Sequence, residues 1–447
     1  MMRHQGWVIF GAALAVRTFW GIFIQYTHPN GFLVYDSWGY LNIAHSWFHH
    51  GAYSQMTQAP FTPDASRTPL YPMLIYIFHL LQMGVFYIVL LQCMLSAATA
   101  WVWWKCIGTA GINILDPRLF ILVSVLLVFD ISSIILAATI GTETLFVFLL
   151  SLSLWCTLRW WSNRKIIALL GSAAFLSLAA LCRPVALYLL MSMPVALLLL
   201  SDVPWRKLRW YVLTFLIVCG PWFVRNKAVF GTYFFSSIST VNLLFHTAAG
   251  VNAQANNSTR SSEEYIYRNE LLGDLDFNNS EAIPVFIQRA DSVFYSTVKS
   301  HPAIFATMWA KGIFYFFAKP LRSYIDVQTG YTEEYSSDFS IEKSFFRSMA
   351  TISSTKSSQT VTVAVLWQIL WLLAVYTGCF IFLIKIKKHS LMLVLIGGWV
   401  LFFACISGLT ESDARLRMPV HGMLIILAIS GIAGYIRHKT PAVEHQI

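Results

Sequence analysis

The sequence predicts an all-α polytopic membrane protein with about ten transmembrane helices and additional interfacial helices on the outer face. Three observations carry that prediction. Of 447 residues, 57% are hydrophobic, 15% aromatic and only 12% charged, where a soluble domain carries about 25% charge. Apolar runs of spanning length recur from the first ten residues almost to the end. Lysines and arginines are distributed unevenly between alternate loops. The net charge of +10 therefore reports membrane orientation and not nucleic acid, because most of the bases sit in short loops between apolar runs. The seven cysteines lie within or beside apolar segments, which implies no disulfide framework. The first apolar run lacks a small-residue cleavage site and reads as a retained helix.

A hydrocarbon core about 30 Å thick takes about 20 apolar residues as helix. Ten spans follow, near 7–26, 84–105, 119–138, 143–160, 165–182, 184–201, 208–224, 361–384, 390–409 and 418–436. The fifth and sixth are short and share the corner Cys182-Arg183-Pro184. One set of loops collects Arg3, Lys105, Arg118, Arg159, Arg164, Lys165, Arg206, Lys207, Arg209, Lys385, Lys387, Lys388, Arg437 and Lys439. The short loops of the other set hold only Arg67, Arg183, Arg415 and Arg417. This bias predicts both termini in the cytoplasm.

Three parts result. Residues 1–224 form an N-terminal transmembrane module with a first outer loop at 27–83, and 225–360 form a large outer loop with amphipathic helices. Residues 361–447 supply the C-terminal transmembrane helices and a short cytoplasmic tail. In the first loop, interfacial helices are expected over 37–50 and 69–82, the second apolar but too short to span. In the large loop, 284–318 reads as amphipathic helix broken near His301-Pro302. The Ser-, Thr- and Tyr-rich stretch 325–360 reads as a mobile loop.

The charges that interrupt the apolar pattern fall at the outer face: Asp36, Arg67, Glu143, Arg183, Arg225, Glu411, Asp413, Arg415 and Arg417. Asp36 and Tyr40 share a face if 37–50 is helical. Asp36 reads as an N-cap of that helix or as a general base in a cavity, and one carboxylate can serve both. Glu143 reads as favouring a helix N-terminus or as a substrate contact. Arg183 and Arg225 end apolar spans, where snorkelling is the plain reading. Pro184 and Pro221 beside them suggest shaped helix ends, and guanidiniums grip phosphate through paired, charge-assisted donors. Several at one level would suit a lipid-linked phosphate. Arg415 and Arg417 lie two apart and cannot both face one way on a helix, so at most one meets substrate. His45 and His49 are spaced for a metal, but no third ligand accompanies them, and interfacial solvation is the better reading. Inside the membrane, Arg17 and Asp130 are expected to pair, because a buried charge seeks a partner.

The stretches Tyr35-Asp36-Ser37-Trp38-Gly39-Tyr40, Ala44, Gly51-Ala52-Tyr53 and Arg67-Thr68-Pro69-Leu70-Tyr71-Pro72 together resemble the first outer loop of GT-C glycosyltransferases. The resemblance is to the protein O-mannosyltransferase and aminoarabinose-transferase group. Later signatures follow in the same order: Thr142-Glu143-Thr144-Leu145-Phe146, Arg183-Pro184, Pro221-Trp222, Arg225-Asn226, Phe230-Gly231 and Arg415-Leu416-Arg417-Met418-Pro419. Order and common face carry the resemblance across almost the whole chain. It implies a polyprenyl-phosphate sugar donor, transfer on the outer face, and Asp36 as catalytic base. Two departures stand out. The motif holds one acidic residue instead of an Asp-Glu pair, and only about ten residues follow the last span, with no sizeable soluble domain.

The expected function is therefore an integral-membrane glycosyltransferase, one that inverts the anomeric centre. Arg183 and Arg225, then Arg417 or Arg415, would stabilise the departing phosphate, Arg67 and Tyr71 would shape the sugar-side wall, and Tyr40 is a further substrate-binding candidate. No cofactor is required, and a divalent metal is compatible with the scheme. The partners are the lipid-linked donor, a glycan, lipid or protein acceptor, and membrane lipids, with no nucleic acid. Compactness favours the bacterial inner membrane. The alternatives are a lipid-linked sugar transporter or flippase, for which internal repeats and midplane polar sites would be expected, and a glycan polymerase or ligase.

Overall fold

The computed structural model describes residues 2–112, 114, 116–201, 203–330, 359–385, 391–409 and 414–439. Among them, all regular structure is helical. The chain enters through α1 (Met2–Thr27), turns over Pro29–Phe32, and lays down α2 (Tyr35–His50) and α3 (Leu70–Leu80) before α4 (Val85–Thr109). Next come α5 (Pro117–Val128), α6 (Ile131–Ala137), α7 (Glu143–Asn163), α8 (Ile166–Cys182), α9 (Val185–Leu200) and α10 (Trp205–Phe230). Shorter pieces follow: α11 (Ile238–Asn242), a π-helical turn (Leu243–Ala248), α12 (Ala249–Ala255) and α13 (Arg260–Ile266). Then α14 (Ala282–Ser300), α15 (Pro302–Ala318) and α16 (Arg322–Gln328) complete that segment. The chain closes with α17 (Gln359–Lys385), α18 (Leu391–Gly408), a 3-10 turn (Ala414–Val420) and α19 (His421–Lys439).

Among the described residues, eight units are long and apolar enough to cross a membrane: α1, α4, α5 with α6, α7, α10, α17, α18, and the 3-10 turn with α19. This is an integral membrane protein. The expected fifth and sixth spans, α8 and α9, have 17 and 16 residues, about 25 Å of helix each against about 30 Å of hydrocarbon. They form a hairpin packed on α7 and α10. Of the hydrophobic stretch Ala414–Ile436, 72% is buried, against 17% for α10. The last span is thus the centre of the bundle, and α10 is its rim.

The interfacial helices form where the pattern places them, as α2 and α3. The amphipathic stretch breaks at His301-Pro302, since a proline suits the first turn of α15 but not the interior of one long helix. Here Leu244, Phe245, Tyr267 and Phe286 build a second, smaller apolar core. In the stretch 325–360, read as loop, α16 is helical to Gln328 and α17 begins at Gln359; residues 331–358 lie outside the described residues.

Two expectations need correction. The third span is not continuous: α5 ends at Val128, α6 begins at Ile131, and Asp130 caps α6 by accepting from the Ser132 N–H at 3.2 Å. A helix end at membrane depth leaves carbonyls that need donors. Arg17, 1% exposed, provides them, giving hydrogen bonds to the carbonyls of Leu127 (3.1 Å) and Val128 (3.2 Å) and to Ser96 Oγ (2.7 Å). Arg17 and Asp130 line one small polar cavity but form no direct ion pair. The break gives each a nearer partner, and Asp130 is taken by His421 Nδ1 at 3.0 Å and Ser133 Oγ at 2.5 Å.

α17 and α19 run together through small residues, as helices in lipid do. A methyl group added at Gly431 would lie 2.5 Å from the Gly378 carbonyl oxygen and 2.5 Å from the Phe382 nitrogen. Gly431→Ala should therefore lower stability by about 1–3 kcal/mol, seen as a lower melting temperature in detergent. Gly434→Ala, where an added methyl meets nothing within 4 Å, is the control and should melt like the parent.

Candidate active site

The first outer loop places its acid through α2. Val34 N–H donates to Ser37 Oγ (2.9 Å), and that hydroxyl donates to the Ile140 carbonyl (2.6 Å), tying the start of α2 to the chain just before α7. The cap position is Val34. Asp36 sits in the first turn and is not the N-cap, which leaves its carboxylate free for side-chain partners. Arg67 Nη2 approaches Oδ1 at 3.0 Å and Arg415 Nη1 approaches Oδ2 at 2.7 Å. The Asp36 side chain is 28% exposed, so the pair of bridges borders open space. Tyr40, one helical turn on, accepts from Arg67 Nη1 at 3.2 Å.

The cluster continues across the bundle. Glu143 opens α7, and its Oε1 accepts from Arg183 Nη1 at 2.6 Å and lies 3.8 Å from Arg415 Nη1. The carboxylate folds back over Gly141, where a Cβ would stand 2.6 Å from Oε2. Arg183 itself is extended at the corner between α8 and α9. An arginine 379 positions away in sequence thus reaches the Asp36 carboxylate.

The remaining sequence candidates fall outside this first ring. Arg225 donates to the Asp64 carbonyl (2.9 Å) and lies over the rings of Tyr53, Trp222 and Phe230. It props the loop that carries Arg67 and does not reach Asp36. Tyr71 is buried, gives its hydroxyl to Gln92 Oε1 at 2.7 Å and packs edge-on to Tyr40, so it backs the site from within the core. Arg417 is 0% exposed and turned into the bundle. Glu411 and Asp413 lie outside the described residues. His45 and His49 have ring centroids 4.4 Å apart, tilted at 49°, and His45 faces His79.

Sequence reasoning gave no role to Asp64 or His246, and quoted Tyr53 only within the Gly51-Ala52-Tyr53 stretch. Asp64 Oδ1 accepts from the backbone N–H groups of Ser66 (3.0 Å) and Arg67 (2.6 Å), an Asx turn that sets the Arg67 backbone. The run Asp64-Ala65-Ser66-Arg67 carried that signal. Tyr53 donates to the Arg67 carbonyl at 3.0 Å. His246 sits in the π-helical turn, a distortion that often marks functional sites, and no pattern in the sequence announces it. Burial, then the charges of Arg260 and Arg415, push its imidazole down to about 4.

Burial opposes ionisation of Asp36, but the Arg415 and Arg67 guanidiniums outweigh it and hold the carboxyl well below the usual carboxylate range. The group is an anion at rest, stabilised on both oxygens.

No protein-family model matches this chain, and no curated protein does. Among solved structures it is similar to ArnT from Cupriavidus metallidurans bound to undecaprenyl phosphate, with 14% identity and a TM-score of 0.43 over 96% of this chain and 78% of that one. The apo state of ArnT gives 13% and 0.37 over the same shares. It is also similar to the archaeal oligosaccharyltransferase AglB from Archaeoglobus fulgidus in complex with an inhibitory peptide and a dolichol-phosphate. That likeness has 11% identity and a TM-score of 0.48 over 99% of this chain and 53% of that one, so the chain spans about half the archaeal protein.

The sign of the Asp36 shift sets a pH test. A depressed folded-state value means that the stabilisation is complete above the ordinary carboxylate value of about 4 and is lost as pH falls toward the depressed one. Asp36→Asn should cost about 1–3 kcal/mol at pH 7, and the gap in melting temperature should close as the pH drops below 4. A gap that stays constant down to pH 3 would refute the double ion pair.

Proposed function

We propose that the protein is an inverting glycosyltransferase that moves a hexosyl or pentosyl unit from a polyprenyl-phosphate donor to an acceptor at the extracytoplasmic face. One observation carries this reading: a single partly exposed carboxylate, Asp36, held between Arg415 at 2.7 Å and Arg67 at 3.0 Å at the start of an interfacial helix. Transfer from a lipid phosphate needs those two elements side by side. The carboxylate receives the proton of the incoming hydroxyl, and the guanidiniums receive the charge of the leaving phosphate. Within the cluster, Arg67, Arg183 and Arg415 stand against Asp36 and Glu143. The surplus of one positive charge matches the single negative charge of a sugar phosphodiester.

At rest Asp36 is a weak base, because both guanidiniums stabilise its anion. A bound phosphodiester competes for Arg415 and Arg67 and adds a negative charge of its own. Both effects raise the basicity of Asp36 when the donor is in place. The acceptor oxygen then attacks the anomeric carbon. The bond from that carbon to the phosphate oxygen breaks, its electron pair leaves on the phosphate, and the acceptor proton passes to Asp36. One displacement inverts the anomeric centre. Arg183, bridged to Glu143, and Arg415 take up the departing polyprenyl phosphate.

The lysine and arginine bias of the loops supports cytoplasmic termini and an outward-facing cluster. The proposed location is a bacterial inner membrane, and the acceptor is a glycan, a lipid or a protein hydroxyl. Purified protein in liposomes with a labelled polyprenyl-phosphate sugar tests the reading. Sugar should reach the acceptor, and Asp36→Asn should lower the rate by about 10²- to 10⁴-fold while the protein remains folded. Movement of donor across the bilayer without transfer would instead identify a transporter.

A further inference from the structure

Arg415 and Arg417 share the 3-10 turn Ala414–Val420. At three residues per turn, side chains two apart diverge by roughly 120°. One therefore reaches the site while the other enters the bundle. Arg417 Nη1 donates to the carbonyls of Phe316 (2.7 Å) and Phe317 (2.8 Å), and Nη2 donates to that of Lys319 (3.0 Å). These are the last carbonyls around the end of α15, where the helix dipole favours a cation. Its Nε–H points at His421 Nε2, 3.2 Å away.

That last contact fixes the histidine. A guanidinium only donates, so Nε2 is the acceptor and Nδ1 carries the hydrogen. Nδ1 gives it to the Asp130 carboxylate, whose oxygens lie at 3.0 and 3.1 Å. The ring also rests against Trp371, centroids 4.7 Å apart. Asp130 is in turn held by Ser133 Oγ and the Ser132 N–H at the start of α6. A buried polar chain thus runs from the break in the third span, through His421 and Arg417, to the turn that carries Arg415 and to the end of α15.

We infer that Asp130, His421 and Arg417 are positioning residues that set the reach of Arg415 onto Asp36 and Glu143, and so the grip of the site on the donor phosphate. The consequence for catalysis rests on the reading of the Asp36 cluster as a transfer site. The physical need is plain. Arg415 is a long side chain on an irregular turn, part exposed at 27%, and its aim is only as good as the backbone beneath it. A misplacement of about 1 Å costs on the order of 10²-fold in rate. Anchoring Arg417, two residues on, to three fixed carbonyls and a fixed imidazole removes that freedom.

A double-mutant cycle separates positioning from mere packing. Arg417→Lys keeps the charge and loses the fork. It should lower kcat by about 10- to 100-fold, and in an Arg415→Lys background the further loss should vanish, because the two act through one contact. His421→Gln, which keeps an acceptor toward Arg417, should retain more activity than His421→Asn, which does not. A second readout needs no substrate: infrared titration of the Asp36 carboxyl, identified by its absence in Asp36→Asn. Arg417→Lys should move that titration to higher pH, as Arg415→Lys does, with no added shift in the double variant. Losses that multiply, with the Asp36 titration unmoved by Arg417→Lys, would overturn the inference. Absence of sugar transfer in the parent, with the titration shift present, would overturn the functional reading and leave the positioning role standing.

Discussion

A charge or a broken helix at membrane depth must find its partners within the protein, and this constraint organises the fold. Water is not there to solvate a guanidinium or a terminal carbonyl, so each has to satisfy the other. Arg17 closes the end of α5 and Arg417 the end of α15, each through backbone carbonyls. Asp130 does the complementary work at the start of α6, taking the Ser132 N–H. Two cations at helix C-termini and one anion at a helix N-terminus also follow the sign of the helix dipole. The irregular backbone is therefore stabilised where it occurs, and the bundle can break a span without exposing polar groups to lipid.

The cluster around Asp36 obeys a different balance. Its members other than the buried Glu143 are partly exposed, so their mutual attraction is moderated by solvent and the arrangement can exchange partners. Asp36 takes two guanidiniums, Glu143 takes one closely and a second at 3.8 Å, and Arg415 belongs to both acids. An incoming anion need only displace carboxylates already paired with these cations. Behind the cluster lie groups of the opposite character. Tyr71, Gln92 and Arg417 are buried and fully engaged in hydrogen bonds, and they give the exchangeable part a rigid floor.

The first outer loop shows how a long connection is made firm enough to serve a site. The Asx turn of Asp64 shapes the backbone at Arg67, Tyr53 holds its carbonyl, and Arg225 reaches from α10 to the Asp64 carbonyl. Ser37 fastens α2 to the chain ahead of α7. The Arg225 and Ser37 contacts join segments distant in sequence, the other two are local, and none contributes a charge to the cluster itself. Loop residues support the site by fixing backbone, and the charged side chains come from helix ends and, in Arg67, from the loop so fixed.

The residues themselves were enough to determine the membrane character, the placement of nearly every span, the two interfacial helices and the break at His301-Pro302, because hydrocarbon thickness, proline chemistry and helical periodicity act locally. They also marked Asp36, Arg67, Glu143, Arg183 and Arg415 as charges out of place in an apolar chain. Tertiary structure alone decided which of those charges meet. Nothing local distinguishes Arg415 from Arg417, yet a 3-10 turn sends one to Asp36 and the other to the end of α15. Arg225 and Tyr71 direct their hydrogen bonds to the Asp64 carbonyl and to Gln92 and not to Asp36, since their direction depends on helix rotation that no pattern encodes. The pairing of Asp130 with His421 in place of Arg17 has the same origin: a partner 291 positions away was brought nearer by packing, and proximity in space, which chain order does not specify, sets which charges compensate each other.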